Sequence, residues 1–152
     1  MRFVQLRLPS YLLLLGSVLF LGCLWADALT LGEQACPGWA ALLLGWAALR
    51  DTPAALAWLA NPALFAAWVL QRNGAKSAAL IASAVAWLLV ASAWILIDAG
   101  PLPRLPGSSA APATQALGPG YWLWFASASC GLIARAIACM PTDHLSMKDS
   151  AR

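Results

Sequence analysis

The chain has 152 residues, enough for one domain, but 62% of them are apolar, only 10% are charged, and the mean hydropathy is +0.74. A soluble domain is about half apolar and a quarter charged, so there are too few charges here to clothe a water-facing surface, and lipid is the indicated solvent. The net charge of +3 is small, and the composition excludes a disordered tail, a disulfide-rich secreted module and a nucleic-acid binder.

A helix needs about 20 apolar residues to cross a hydrocarbon core of roughly 30 Å. The first candidate span covers 11–31, uncharged from Tyr11 to Trp25 and longer if Asp27 sits at the boundary. Arg2 and Arg7, the apolar stretch and then Ala26-Asp27-Ala28 also fit a cleaved signal peptide ending near residue 28. The apolar run is long for that role, so a retained anchor is the favoured reading. Residues 38–49 are apolar but would make a helix of only about 18 Å. With Trp39, Leu42, Leu43, Trp46 and Leu49 at helical spacing, they read as an interfacial or re-entrant helix, the alternative being a poorly fitted fifth span. Span two, 54–70, is short and has Asn61-Pro62 at its centre. Asn73-Gly74 marks a tight turn. Span three, 77–97, has no charge and no proline. Residues 99–119, rich in proline, glycine and serine, read as a flexible outer loop, and span four, 121–139, holds one charge, Arg135. Pro141 stops it, leaving a polar tail, 141–152.

Charge placement separates four spans from five. Basic residues of short loops stay in the cytoplasm. Four spans with an inner N-terminus put Arg2, Arg7, Arg72, Lys76, Arg135, Lys148 and Arg152 inside and only Arg50 and Arg104 outside; five spans leave no bias. Four spans also bring seven of the nine tryptophans toward the outer side, where indoles favour the membrane boundary.

Four residues carry candidate chemistry. Asn61 and Pro62 together make a kink with polar groups facing the bundle: either a solute contact at a broken helix or, as favoured here, helix packing in which Asn61 bonds a neighbour or the freed Trp58 carbonyl. Arg135, a turn from the inner end, is expected to snorkel to the headgroups. Tyr121 is a candidate lining residue of a polar path with Asn61. Small residues Ala126, Cys130, Ala134 and Ala138, with Ser127 and Gly131 beside them, predict a face for close intramolecular helix packing. A Cys23–Cys36 bridge is possible if the chain folds back. No nucleophile–base set, phosphate loop, paired intramembrane carboxylates or metal-ligand spacing is found, which points away from an enzyme and implies no cofactor and no metal.

Cys36-Pro37-Gly38-Trp39, Leu43-Leu44-Gly45-Trp46, Trp58-Leu59-Ala60-Asn61-Pro62 and Gly120-Tyr121-Trp122-Leu123-Trp124, in this order over roughly 36–127, resemble segments of a group of small bacterial integral membrane proteins without known activity. The resemblance implies topology and membership, and makes Asn61, Pro62, Gly120 and Tyr121 worth testing. The expectation is an all-α bundle of four transmembrane helices plus one short interfacial or re-entrant helix, in a bacterial inner membrane with both termini cytoplasmic. Its expected role is that of a non-enzymatic accessory or interaction subunit whose partners are lipid and another membrane protein or itself, with no nucleic acid. The alternative is a homo-oligomeric small transporter or channel with a polar path near Asn61 and Tyr121.

Overall fold

The computed structural model describes residues 2–31, 34–50, 53–97 and 115–140. Most of the proline-rich loop, the tail, and the acids Glu33, Asp51 and Asp98 lie outside the described residues.

The fold is mainly helical. Helix α1 (Arg2–Trp25) is followed by strands β1 (Asp27–Leu31) and β2 (Gln34–Pro37), helix α2 (Gly38–Leu44), two 3-10 segments (Ala47–Arg50 and Pro53–Leu59), α3 (Ala60–Arg72), α4 (Lys76–Ile97), β3 (Gln115–Leu117) and α5 (Pro119–Cys139). Among the described residues three helical stretches are long and apolar enough to cross a membrane: Leu8–Trp25, Lys76–Leu96 and Pro119–Cys139.

The long helices pack in a row, α1 on α5, α5 on α4 and α4 on α3. Neighbours run antiparallel. Gly16 meets Ser127 and Cys130 while Gly22 meets Leu123, and Trp94 lies beside Trp122 while Trp87 lies beside Phe125. The core is built from small side chains, Ala57, Ala60, Ala86, Val90, Ala93 and Ala128 around Tyr121. Where the outside is as apolar as the inside, dispersion and close approach decide which faces meet, and small residues allow the closest approach. The large apolar side chains point outward, as Leu14, Val18 and Leu21 of α1 and Ile81, Leu88 and Ile95 of α4 do. The α3–α4 turn ends α3 with Gly74 at φ 78°, its N–H bonded to Gln71 O and that of Ala75 to Leu70 O. This capping pattern satisfies the last carbonyls and needs a left-handed residue, which glycine supplies.

Three features differ from the expected all-α bundle. First, the apolar run does not continue as helix to residue 31. The helix ends at Trp25, and Asp27–Leu31 becomes the central strand of a three-stranded antiparallel sheet in the order β2-β1-β3. Leu29, Thr30 and Leu31 pair with Leu117, Ala116 and Gln115 on one side and with Cys36, Ala35 and Gln34 on the other, with a bulge between Asp27 and Leu29. Strand β3 and the start of α5 take residues from the segment expected to be loop. Second, the interfacial helix is interrupted. Helix α2 stops at Leu44 because Trp58 packs on Gly45, where a Cβ would overlap its ring, and the Trp58 indole N–H donates to Leu42 O at 2.6 Å. Third, the expected span 54–70 is two helices in series, a 3-10 segment and then α3, changing at Leu59–Ala60.

Candidate functional site

The sheet closes one end of the helix row. It is fastened by three glycines crowding the backbone that leaves α1. A Cβ on Gly38 would overlap the Cys23 carbonyl, one on Gly118 the Asp27 carbonyl, and one on Gly120 would lie 2.7 Å from Ala26 O. Two hydrogen bonds hold the same junction, Gly38 N–H to Ala26 O at 2.8 Å and Gly118 N–H to Ala28 O at 2.9 Å. Around this end stand Trp25, 88% exposed, and the exposed indoles of Trp39, Trp46, Trp94 and Trp122. The opposite end, where α1 and α4 begin and α3 and α5 finish, carries Arg2 and Arg7 in the first turns of α1, then Arg72, Lys76 and Arg135. The molecule is therefore polarised, with the sheet and five exposed indoles at one end and these basic residues at the other, where Trp68 is the one exposed indole among the described residues.

Tyr121 is buried, 4% exposed, in the first turns of α5. Its hydroxyl donates to Val90 O of α4 at 2.9 Å, and its ring packs with Trp122, Trp124 and Phe125. This joins α5 to α4 and leaves no free hydroxyl facing a path. Trp87 makes a second tie, its indole N–H donating to Ser129 Oγ at 3.0 Å.

Asn61 and Pro62 fall in the first turn of α3, at the change from 3-10 to α, rather than in mid-helix. Because the 3-10 turn runs directly into α3, with Leu59 still at helical φ −62° and ψ −13°, Pro62 removes the N–H that would donate to a carbonyl one turn back, just where the helix type changes. Pro62 is exposed. Among the described residues Asn61 makes no side-chain bond to a neighbouring helix or to the Trp58 carbonyl, and its Oδ1 is buried with no partner.

Arg135 is folded into the protein rather than extended away from it. It is 5% exposed, and Nη1 donates to Gly131 O, one turn back along α5, at 3.1 Å. Side chains on a helix lean toward its N-terminus, and Gly131 leaves the space, since a Cβ there would meet Nη1 at 2.9 Å. The Nε atom is buried without a partner, and no carboxylate bonds the guanidinium among the described residues. On the same stripe Ser127 Oγ donates to Gly16 O at 2.7 Å, so the close approach of α1 to α5 at Gly16 carries a polar tie. The small-residue face thus packs within the chain, most deeply at Ser127, Gly131 and Ala134, while Ala126, Cys130 and Ala138 are partly buried and Cys130 borders Gly16.

Cys23 and Cys36 are both free thiols; Cys23 donates to Phe20 O within α1. Burial, and then the Asp27 carboxylate, push the Cys36 thiol above its ordinary pKa. Among the described residues no group of three His, Cys, Asp or Glu is placed to hold a metal ion. No protein-family model, curated protein or solved structure matches the chain.

Sequence reasoning missed the sheet and its glycine-lined junction. The available signal was the bunching of Gly38, Gly118 and Gly120 around short segments bounded by proline.

Proposed function

We propose that the chain is a four-span protein of a bacterial inner membrane, with both termini cytoplasmic, serving as a non-enzymatic accessory or interaction subunit. The observation that carries the topology is the direction of the helices. Helices α1 and α4 both run antiparallel to α5, so they point the same way. If both cross, the chain between them must return through the membrane, and the segment that leads into α4 is the 3-10 stretch plus α3. Both parts pack along α4. At about 2 Å per residue for the 3-10 part and 1.5 Å for the α part, they reach about 34 Å end to end, against about 33 Å for α4. This mixed helix, part 3-10 and part α, has a length that suits the roughly 30 Å core. Orientation follows from the basic end lying inside and the indole end outside.

The subunit role is supported by the small extramembrane fraction and by the packing of Tyr121 and Ser127 into helix contacts, which leaves the described polar side chains engaged mostly in holding the bundle together. For a homo-oligomeric transporter or channel, the supporting observation is the unpartnered Asn61 Oδ1.

Reporter fusions at Gly74 and after Arg152 test the topology: both are expected to read cytoplasm, and an outer signal at Gly74 overturns four spans. Purification in mild detergent tests the role. A stable second protein copurifying in fixed ratio supports the subunit reading; a homo-oligomer that passes solute in liposomes, with flux abolished by Asn61→Ala, supports the transporter instead.

A further inference from the structure

We propose that Trp68, Arg72 and Lys76, at the α3–α4 turn, seat the phosphate of an anionic phospholipid. The inference rests on the membrane reading above. The Arg72 guanidinium lies 5.1 Å from the centre of the Trp68 ring, and all three side chains are exposed. That distance is within cation–π range, so the indole holds the guanidinium near itself while the exposed side chain keeps N–H groups for a ligand. Among the described residues nothing accepts a hydrogen bond from Arg72 or Lys76. From Ala60 to Ile97 the chain has no Asp or Glu, so this pair of cations is unbalanced locally.

Depth and chemistry agree. An indole settles at the membrane boundary, and Arg72 lies one helical turn nearer the chain's basic end, at headgroup level. A planar guanidinium edge matches two phosphate oxygens, and the lysine ammonium adds a second point charge. Both cations repel the amine of a zwitterionic headgroup, so the seat selects lipids whose headgroup lacks a cation. Inorganic phosphate offers the same oxygens without acyl chains.

The test is native mass spectrometry of the full-length protein in nonionic detergent with phosphatidylglycerol and phosphatidylcholine at equal concentration. Wild type is expected to retain phosphatidylglycerol preferentially. About fivefold in binding is expected per basic side chain at an anionic surface, so Arg72→Gln/Lys76→Gln loses on the order of 25-fold of that preference. Arg72→Lys, which keeps the charge and loses the planar fork, falls between. Lys148→Gln, the same charge removed elsewhere, leaves the preference intact. The proposal is overturned if the double variant keeps its preference, if Lys148→Gln loses as much, or if millimolar inorganic phosphate displaces the lipid. Carbonate washing of membranes separates the two readings: wild type that washes off overturns membrane insertion itself, whereas inserted protein without lipid preference overturns only the seat.

Discussion

Arg135 shows how one neighbour redirects a charged side chain. A guanidinium near a helix end in lipid reaches for water when the route is open. Here the residue four positions earlier is Gly131, and the side chain lies back over it, with one hydrogen bond and a buried, unpaired Nε. A buried charge without an ion partner carries a desolvation cost that an apolar side chain of similar length does not. Arg135→Met is therefore expected to raise stability in mild detergent by about 1 kcal/mol, read as the midpoint of thermal unfolding. A fall of that size would mean that an anion accompanies the guanidinium and contributes to the fold. Cys36 allows a second test, because desolvation and the Asp27 charge both disfavour its thiolate. In a variant with Cys36 as its only cysteine, alkylation by iodoacetamide is expected to rise with pH along a curve displaced above the usual thiol range near 8.5. Asp27→Asn removes one of the two causes and shifts the curve down toward that range; an unmoved curve would leave burial as the sole cause.

Among the elements, the three long helices were legible in the sequence because an uncharged run of that length has one low-energy form in lipid, whatever it packs against. The other elements depend on partners remote in sequence. Ala28-Leu29-Thr30-Leu31 continues the apolar run of α1 and becomes a strand only because residues 115–117 lie alongside it. Likewise α2 has the spacing of a longer helix and stops where Trp58 lands on Gly45. Of the candidate site residues, Tyr121 carries a polar tip whose acceptor, Val90 O, only the fold reveals, and Asn61 stands at the change of helix type with its Oδ1 unpartnered, which spacing alone does not show. The glycine-lined junction gives a sharp prediction at this scale. At Gly120 a methyl group would face the Ala26 carbonyl oxygen at 2.7 Å and the Asp27 carbonyl carbon at 3.0 Å, both backbone atoms with little room to yield. Gly120→Ala is expected to lower stability by about 1–3 kcal/mol through overpacking and to loosen the sheet end, seen as faster hydrogen exchange of β1 amides. At Gly74 a methyl group meets only open space, so Gly74→Ala carries just the left-handed backbone penalty of about 1 kcal/mol and leaves β1 exchange unchanged. Equal exchange in the two variants would remove the special role of the junction.

At the scale of the whole molecule, the first helix decides between a retained anchor and a removed signal segment. Removal after Ala28 would take away the whole of α1, which runs along α5 and forms one edge of the helix row. Ser127 would lose Gly16 O as acceptor, and the buried stripe of Ser127, Gly131 and Arg135 would lose its cover. The sheet end would suffer as well, because Ala26 O and Ala28 O accept the bonds that fix Gly38 and Gly118, and β1, the strand shared by both pairings, starts at Asp27. The A-x-A triplet thus sits inside the junction that ties three elements together. Intact-mass measurement of protein purified from membranes is expected to find residues 1–28 present, and Ala26→Leu/Ala28→Leu, which would block a signal peptidase, is expected to leave the mass unchanged apart from the substitutions. Recovery of a stable species beginning at Leu29 would mean that α5 finds another partner for its small-residue face. A second protein or a second copy would then occupy the place of α1, and the row of helices described here would be the precursor.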